Sequence, residues 1–447
     1  MRESSLWRAV FGVERTVVEG VDFDPVAGSV VVSVRAVARA RGRCGRCGRR
    51  GRGYDRGRGS RRRWRGLDLG VLQTWLEADL GRVECSLHGV VVEQVPWARH
   101  GAGHTYAFDQ QVAWLATRMS KSAVVELMRV AWRTVGAIMA RVWADIETLV
   151  DPLDGLSRIG IDEISYKRGH LYLTVVVDHE SGRLVWAAPG QSKATLQQFF
   201  DELGPQRCAA ITHIAADGAG WIADVAALNC PTAIRGIDPF HVVQWANEAL
   251  AQTRAESWRE ARAIARATEP KRGLGRPPAD APPRLASQRA KALHGARTAL
   301  WKNPENLTEN QTAKLEWVAL TDPRLYRAYQ LKEGLRVIFK MPPDQATEAI
   351  DQWLSWASRC RIPAFTKLAR SIRNHRTGIL TSIEHRMSNA HTESVNTRIR
   401  LLTRIAFGFR SPQALIALAM LTLGGHRPKL PGRHPAPTHQ TEEPVHL

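Results

Sequence analysis

The sequence predicts an α+β protein with several domains: a small basic β domain, a helix-turn-helix, and an α/β core interrupted by an all-helical insertion. The first observation is length, since 447 residues are more than one hydrophobic core usually holds. The second is a hydrophobic pattern that changes along the chain from strand-like to helical and then to alternating strands and helices. The predicted segments are 1–104, 105–152, 153–251, 252–385, 386–425 and a disordered tail over 426–447.

The net charge of +20 favours a polyanionic partner. Nucleic acid is the commonest such partner, although an anionic membrane surface would also attract a basic chain. Residues 1–13 contain no apolar signal core, and the longest apolar run, 414–423, is too short to cross a bilayer. We therefore expect a soluble, cytoplasmic protein in which that run is a buried helix.

The β domain is predicted from valine runs at 30–34 and 90–92, which lie on either side of a basic, glycine-rich segment. Between Arg35 and Arg65 this segment contains fourteen arginines and one acid, Asp55. Such one-sided charge favours a loop that grips DNA phosphates over an ordinary solvated loop. The predicted contacts with double-stranded DNA are Arg61, Arg62, Arg63, Trp64 and Arg65.

Two pairs of metal-ligating residues share the same spacing. Cys44 and Cys47 are separated by two residues, and so are Cys85 and His88. Two such knuckles on neighbouring hairpins form a zinc ribbon, whereas a single pair would be an unrelated thiol pair. We expect one structural Zn²⁺ that folds a small domain with little core of its own. Ordinary buried thiols are expected at Cys208, Cys230 and Cys360.

Residues 107–150 have helical periodicity. The pattern predicts a first helix, a short helix over 122–129, a turn, and a third helix over 132–146. This is the order of a DNA-binding helix-turn-helix, and it is also the order of a plain three-helix bundle. The basic charge favours the first interpretation. Its predicted DNA contacts are Lys121, Arg133, Thr134 and Arg141.

The core is predicted from a regular succession of strands and helices after residue 156. The predicted strands are 157–162, 170–177, 184–188, 211–215 and 232–237, and a helix over 193–203 precedes the fourth of them. Three hairpin-like strands followed by helix, strand, helix and strand is the order of ribonuclease-H-like folds.

Three acids are candidates for a catalytic site. Asp162 is at the predicted end of the first strand and Asp217 follows the fourth, and these strands are neighbours in the inferred fold. Both acids should therefore meet at one edge of the sheet. Glu393 lies in a later predicted helix, on one face with Asn396 and Arg400.

Converging carboxylates repel one another unless cations neutralise them. Two Mg²⁺ ions ~3.5–4 Å apart would do so and would support phosphoryl transfer without a covalent protein intermediate. Each acid by itself is more often a strand end or a surface charge. Their joint placement on two neighbouring strands and a later helix favours a catalytic site with two Mg²⁺ ions.

The helical insertion contains a proline-rich stretch over 269–284 that predicts a flexible linker. Residues 275–277 within it resemble the core of a minor-groove hook. Helical periodicity resumes after the linker and continues to the third acid.

Four segments of the chain resemble the ISL3 family of insertion-sequence transposases: 160–169, 215–218, 238–241 and 388–410. The metal knuckles, 64–68 and 95–97 share this resemblance, which covers about residues 25–425 in the family's order. It implies a transposase whose Asp-Asp-Glu core is formed by Asp162, Asp217 and Glu393. One departure is His88, where many relatives have cysteine; zinc accepts either ligand.

The resemblance also implies the partners. The DNA would be the terminal inverted repeats of the element and the target DNA, handled in the bacterial nucleoid by a homodimer or a larger assembly. The basic stretch 404–410 matches a family motif expected near DNA. This adds Arg400, Arg404 and Arg410 to the predicted contacts.

Asp238 and His241 match an Asp-x-x-His pair that similar transposases carry after the second catalytic acid. Asp238 followed by Pro239 also predicts a helix N-cap, and both interpretations can hold together. The auxiliary site candidates are therefore Asp238, His241 and Asn396.

Two other functions compete with transposition. One is a catalytically silent DNA-binding protein or repressor derived from a transposase, and the presence of all three acids argues against it. The other is a structure-selective nuclease of the same fold, which would need no sequence-reading module before its core.

Overall fold

The computed structural model describes residues 3–55, 61–167, 169–216, 219–269, 283–387 and 389–433. The chain divides into two compact units, one made of Met1–Pro152 with Ile399–Leu447 and the other of Leu153–Arg398. Each unit has hydrophobic core clusters of its own.

The strands are β1 (Thr16–Asp24), β2 (Ser29–Ala36), β3 (Arg52–Asp55), β4 (Arg62–Arg65), β5 (Gln73–Ala78), β6 (Arg82–Cys85), β7 (Gly89–Val92), β8 (Arg158–Lys167), β9 (Leu171–Asp178), β10 (Leu184–Pro189), β11 (His213–Ala216) and β12 (Ile234–Ile237). The helices are α1 (Glu3–Phe11), α2 (Tyr106–Ala116), α3 (Lys121–Met128), α4 (Trp132–Glu147), α5 (Lys193–Leu203), α6 (Pro205–Ala210), α7 (Gly220–Asn229), α8 (Pro239–Thr268), α9 (Leu285–Gly295), α10 (Arg297–Trp301), α11 (Glu309–Thr321), α12 (Pro323–Ile338), α13 (Pro343–Arg359), α14 (Pro363–Asn374), α15 (Arg376–Glu384), α16 (Ala390–Ile405) and α17 (Pro412–Leu423). Short 3₁₀ turns lie at Ala38–Ala40 and Pro304–Asn306.

The first unit begins with a four-stranded sheet of order β1-β2-β5-β4. β1 and β2 form an antiparallel hairpin, β2 pairs with β5 in parallel, and β4 pairs with β5 antiparallel. One face of the sheet packs around the buried side chains of Trp64, Leu76 and Trp97. The two indole rings meet edge to face, with 5.4 Å between their centroids.

Helix α1 corrects the expectation of a wholly β-prone N-terminal segment. Trp7 and Phe11 lie one turn apart on this helix, and their rings stack with centroids 6.1 Å apart. Phe11 is buried in the core of the first sheet. Packing against the sheet stabilises a helix that is too short to be stable alone.

The basic segment between Arg35 and Arg65 is only partly a loop, which corrects the expectation of one long loop. It begins in β2, contains β3 and ends in β4. β3 belongs to a second antiparallel sheet of order β3-β6-β7. Backbone pairing within these two sheets fixes several of its arginines in place.

The three predicted helices before residue 150 are confirmed as α2, α3 and α4. Thr105 and Ser120 cap α2 and α3 by accepting hydrogen bonds of 3.2 Å from backbone N–H groups of the first turn. Arg129 follows α3 with φ +52° and turns the chain toward α4. α17 packs on α4, where a Cβ at Gly136 would lie 3.4 Å from that of Ala414. The apolar run predicted as a buried helix is therefore confirmed.

The second unit is built on a five-stranded sheet of order β10-β9-β8-β11-β12. β8, β9 and β10 are an antiparallel meander, and β11 and β12 run parallel to β8. All five predicted strands are present, but the first continues to Lys167. Asp162 is therefore inside β8, not at its end as predicted, because the residues after it keep pairing with β9.

Helices surround and follow this sheet. α5 has the predicted bounds and packs Phe199 and Phe200 into the core of the sheet. From α8 to α15 the described elements are helical, and they share a core that includes Leu250, Leu331 and Phe365. The predicted linker falls mainly on 270–282, with the hook at 275–277, and most of the predicted tail falls on 434–447; both ranges are outside the described residues.

Within the described ranges, no helix is both long enough and apolar enough to span a bilayer. The three cysteines predicted to be ordinary buried thiols are indeed free and buried, namely Cys208, Cys230 and Cys360.

Candidate functional site

The four predicted zinc ligands come together in the first unit. One ligand atom from each of Cys44, Cys47, Cys85 and His88 lies within 4.8 Å of all the others. Three of the pairs are 3.7 Å apart: Cys44 Sγ to His88 Nδ1, Cys47 Sγ to Cys85 Sγ, and Cys85 Sγ to His88 Nδ1. A tetrahedron with Zn–S bonds of ~2.3 Å puts its sulfur atoms about 3.8 Å apart. The spacing and the donor set therefore fit zinc.

Two tight turns aim these side chains at one point. Gly48 has φ +70° and its N–H donates to the carbonyl oxygen of Cys44 at 2.8 Å. Gly89, with φ +64°, follows the second pair and starts β7. The backbone N–H of Leu87 and the neighbouring histidine ring lower the pKa of Cys85 to about 6. This shift favours the thiolate of Cys85, which is the form that binds zinc.

Asp162 meets the helix that carries Glu393. The side-chain N–H of Asn396 on α16 donates to Asp162 Oδ2 at 2.7 Å, and the backbone N–H of Glu163 donates to the other carboxylate oxygen at 2.7 Å. Glu393 is one helical turn before Asn396 and shares its face of α16. Asn396 is buried and Glu393 is exposed. The structure thus brings this face of α16 against β8 at Asp162.

A glycine in β8 permits this close approach. A Cβ at Gly160 would lie 2.9 Å from His179 Cδ2, and closer still to His179 Nε2 and Thr392 Oγ1. The last two atoms are 3.4 Å apart, within hydrogen-bond distance. Neither His179 nor Thr392 was predicted as a site residue. The available signal was a glycine inside a strand, two residues before the acid, which often marks close approach of another segment.

His179 is neutral in the folded protein. Burial lowers its pKa to about 4, and the electrostatic effects of the neighbouring His391 and Arg158 act in the same direction. A neutral imidazole can either donate to a hydroxyl or accept from it, so it suits Thr392 as a partner. His179 therefore acts as a packing and hydrogen-bonding support for α16.

Asp238 is the N-cap of α8, as predicted. Its Oδ1 accepts from the backbone N–H groups of Phe240 and Asn389, both at 3.2 Å, and its Oδ2 lies 3.0 Å from His241 Nδ1. The backbone N–H of Asp238 donates to the carbonyl oxygen of Ala216 at 3.1 Å. This cluster therefore lies beside the end of β11.

Asp217, the second predicted catalytic acid, lies outside the described residues. The last described residue before it is Ala216, which ends β11 and pairs in register with Ile161. Ile161 is the residue before Asp162.

Two buried asparagines near these acids have amide atoms without a hydrogen-bond partner among the described residues. They are Asn396 Oδ1 and both side-chain polar atoms of Asn389. Each residue is only 2% exposed. Burying a polar atom without any partner costs free energy, so these amide atoms have hydrogen-bonding capacity for a partner outside the described residues.

Burial removes three residues from the predicted DNA contacts. Trp64 is 1% exposed and belongs to the core of the first sheet. Arg65 is 4% exposed and forms an ion pair with Asp68. Both were predicted from a run of basic residues. As neighbours in β4 they point to opposite faces of the sheet, Trp64 into its core and Arg65 toward Phe108 of α2, whose ring centroid lies 5.6 Å from the guanidinium carbon.

Lys121 is the third buried residue. Its Nζ lies 4.6 Å from the ring centroid of Trp132 and 5.8 Å from that of Phe409. Arg141, on α4, is also engaged within the first unit, because it forms an ion pair with the buried Asp109 of α2. These two cations hold the three-helix region together.

The remaining predicted contacts are at the surface to different degrees. Arg61 and Arg63 are exposed, and both pair with Glu77. Arg62 is half-buried and donates to the carbonyl oxygen of Ala102 at 2.9 Å. Part of the charge of this segment is therefore neutralised within the protein.

Five further predicted contacts lie on α4, on α16 and just after α16. Thr134 is half-buried, and the four arginines are exposed: Arg133, Arg400, Arg404 and Arg410. In the part of the chain that the structure describes, none of these arginines has an acidic partner.

Comparison with known proteins matches three segments of the chain to domains of transposases. A family model described as a transposase matches residues 159–419, one described as the helix-turn-helix domain of transposase family ISL3 matches 93–143, and one described as a zinc finger of transposases IS204, IS1001, IS1096 and IS1165 matches 40–88. The chain is 61% identical over 445 residues to the transposase for insertion sequence element IS1557 of two Mycobacterium tuberculosis strains, covering 98% of this chain and 99% of the relative. It is 25% identical over 356 residues to the transposase for insertion sequence element IS1001 of Bordetella parapertussis, covering 79% and 82%. The chain belongs to the ISL3 family of DDE-type transposases, and it carries that family's zinc ribbon and DNA-binding helix-turn-helix.

Proposed function

We propose that this transposase cleaves the 3′ ends of its own insertion sequence and joins them to target DNA, with Asp162, Asp217 and Glu393 as its catalytic acids. The observation that carries the proposal is the 2.7 Å hydrogen bond from Asn396 to Asp162. It ties the face of α16 that bears Glu393 to β8. The two relatives named as transposases of insertion sequence elements support the class of reaction.

The register of the sheet supports Asp217 as the second acid. Asp217 directly follows Ala216, whose partner on β8 is the residue before Asp162. Asp238, by contrast, is buried and fully engaged as a helix cap, so it is a positioning residue and not a metal ligand.

The catalytic unit is proposed to be a ribonuclease-H-like core with a helical insertion. The order β10-β9-β8-β11-β12, with three antiparallel strands and two parallel ones, supports this fold. We assign 153–251 and 386–425 to the core and 252–385 to the insertion. The zinc-ribbon domain is assigned to 1–104, the helix-turn-helix to 105–152 and the tail to 426–447. The unit boundary at Leu153 supports the start of the core.

The donors around Asp162 suit magnesium. Asp162 and Glu393 offer carboxylate oxygens, and the buried Oδ1 of Asn396 has no partner among the described residues. Hard oxygen ligands of this kind are what Mg²⁺ prefers. When bound, two Mg²⁺ ions would activate the attacking oxygen and stabilise the leaving oxygen.

The protein's own residues orient this site. Asn396 fixes the rotation of the Asp162 carboxylate by donating to one of its oxygens. Asp238 holds His241 through its Nδ1 at 3.0 Å, and we assign this oriented imidazole a proton-exchanging role near the scissile phosphate. The close contact at Gly160 keeps α16 at the distance that both acids require.

Two chemically similar steps make up the reaction. Water attacks a phosphodiester at the end of the element, the P–O3′ bond breaks, and a 3′-hydroxyl is released. That hydroxyl then attacks a phosphodiester of the target, so that one P–O bond forms and one breaks. The protein forms no covalent intermediate.

The N-terminal modules are proposed to bind the terminal inverted repeats. A structural Zn²⁺ held by Cys44, Cys47, Cys85 and His88 would be closed to substrate because all four positions are filled. Base reading is assigned to the start of α4 and phosphate binding to the exposed arginines. The exposed arginines are Arg61, Arg63 and Arg133 in the N-terminal modules, and Arg400, Arg404 and Arg410 after the catalytic acid. We add two half-buried residues to the DNA contacts, Arg62 and Thr134. Two element ends must be cut together, so we propose a dimer or larger assembly acting at the nucleoid in the cytoplasm.

The test is a nicking assay with purified protein, Mg²⁺ and duplexes that carry the ends of the element encoding it. Asp162→Asn, Asp217→Asn and Glu393→Gln should each abolish nicking without changing DNA binding. Glu163→Gln is the matched control, because neighbouring residues of a strand point to opposite faces; it should nick like the parent.

Three outcomes would contradict parts of the proposal. A triad variant that cuts as well as the parent would refute the catalytic assignment. A parent protein that binds the ends with Mg²⁺ present but never nicks them would indicate a silent DNA-binding protein. A parent protein that cuts branched DNA and never joins strands would indicate a structure-selective nuclease.

A further inference from the structure

The turn after α16 holds an aromatic side chain out in solvent. Phe407 is 85% exposed and has φ +52°. Bulky residues seldom adopt this left-handed conformation, and an exposed phenyl ring contributes almost no burial to folding. The stability of the unit therefore gives no reason for phenylalanine at this position.

The turn is well fixed. The backbone N–H groups of Phe407 and Gly408 donate to carbonyl oxygens of the last helical turn at 3.0 and 2.8 Å. Gly408 has φ +93°, which completes a left-handed cap of the helix. On either side, Ala406 and Phe409 are 3% and 6% exposed. Because its neighbours are anchored, the ring of Phe407 is held outward and cannot easily fold back.

The same turn is attached to the helix-turn-helix. The ring of Phe409 lies 5.8 Å from Lys121 Nζ at the start of α3, and that Nζ lies 4.6 Å from the ring of Trp132 at the start of α4. α17, which follows the turn, packs along α4. Phe407 is therefore connected rigidly to the helices assigned to DNA reading.

The surroundings of Phe407 carry charge of one sign. Arg400, Arg404 and Arg410 are exposed and have no acidic partner among the described residues. Exposed leucine and isoleucine side chains, Leu401 and Ile405, lie on the same turns of the helix. Proteins that bind unpaired nucleic acid combine aromatic rings with arginines. The ring stacks on a base, and the cations bind the phosphates.

We propose that Phe407 stacks on an unpaired base of the bound DNA while the adjacent arginines hold the flanking phosphates. The proposal rests on the proposed function, since a nick at an element end removes the backbone constraint on the bases beside it and lets them unpair. Every base has a π face, so the contact is independent of sequence. It would stabilise DNA that is opened at the site over DNA that is fully paired.

The test measures binding of two DNA probes to the full chain without Mg²⁺. One probe is a duplex with a short unpaired bulge that contains 2-aminopurine, whose fluorescence reports stacking; the other is the same duplex fully paired. Phe407→Leu keeps apolar bulk without a ring, and Phe407→Asn suits the left-handed backbone. Both should weaken binding of the bulged probe about 5- to 150-fold, equivalent to ~1–3 kcal/mol, and leave the paired probe unchanged.

Two control variants sharpen the test. Phe407→Trp retains a stacking ring and should bind the bulged probe like the parent. Leu401→Ala removes an exposed apolar side chain from the same helix and should change neither affinity. Thermal denaturation checks that each variant folds.

Equal affinity of the parent and Phe407→Leu for the bulged probe would overturn the proposal. So would a change of oligomeric state with no change in DNA binding, which would mean that the ring docks on a second copy of the chain. Neither result depends on nicking, so failure here is distinguishable from failure of the proposed catalytic function.

Discussion

Replacing Gly160 with alanine tests whether the β8–α16 contact controls catalysis. The added Cβ would lie 2.9 Å from His179 Cδ2, whereas carbon atoms in contact are about 3.5–4.0 Å apart. Thr392 Oγ1 lies even closer to the added atom, and Thr392 is itself fully buried. An extra methyl group in a packed core forces side chains off their rotamers and shifts the backbone, and we therefore expect α16 to move away from β8 by roughly 1 Å.

The expected effects on stability and on rate differ in size. Overpacking of this kind lowers the free energy of unfolding by about 1–3 kcal/mol, which a marginally stable unit can survive. A displacement of about 1 Å in a catalytic group lowers a rate by roughly 100-fold. The variant should thus remain folded at moderate temperature and should nick element ends about 100-fold more slowly.

The assay is single-turnover nicking, together with chemical denaturation of the same preparations. Gly53→Ala is the matched control, since Gly53 is also in a strand and a Cβ added there would have no described residue within 4 Å. It should leave both the nicking rate and the free energy of unfolding unchanged. If Gly160→Ala nicked at the parental rate, the β8–α16 distance would not govern the position of Glu393, and the reasoning would fail.

Three further predictions concern zinc, pH and the core. A chelator that removes zinc should abolish hydrogen-exchange protection in β3, β6 and β7 because their small sheet has little core of its own, while the four-stranded sheet and strands β8–β12 stay protected. The pKa of His179 is about 4 in the folded protein, compared with 6.5 for an ordinary histidine. As pH falls, this histidine is therefore protonated in the unfolded chain before it is protonated in the folded one. The free energy of unfolding should therefore decrease by up to about 3 kcal/mol between pH 6.5 and 4, and His179→Gln should flatten this decrease. Trp64→Ala should destabilise the first unit by ~3–5 kcal/mol in denaturant titrations, because the ring is in the core; an unchanged midpoint would contradict that burial.

The zinc cluster and the order of core strands could be predicted because their signals are local. Each knuckle is a pair of ligands with two residues between them, and each strand is a short apolar run between turn residues. The capping of α8 by Asp238 is equally local, since the cap and the proline after it are adjacent in sequence. Such features depend on residues that are close in sequence, so they can be identified from the sequence alone.

The parts that could not be predicted depend on contacts between distant segments. Helix α1 exists because Phe11 packs under a sheet formed later in the chain. β8 runs on past Asp162 because β9 continues to pair with it, and no turn residue separates the acid from the strand. The contact of His179 with Thr392 joins a hairpin to a helix that follows the whole insertion, and neither residue belongs to a recognisable pattern.

The net charge predicted that the protein binds DNA, but it did not identify which cations contact the DNA. A charge of +20 indicates a polyanionic partner but does not say which cations face it. Arg65 and Arg141 are engaged with Asp68 and Asp109, and Lys121 lies against two aromatic rings. These cations stabilise the first unit and cannot at the same time hold phosphates. Several of the cations without acidic partners among the described residues lie in and just after the last part of α16, in the segment that also carries the exposed Phe407. DNA affinity in this protein should therefore depend on where unpaired cations lie more than on how many arginines the chain contains.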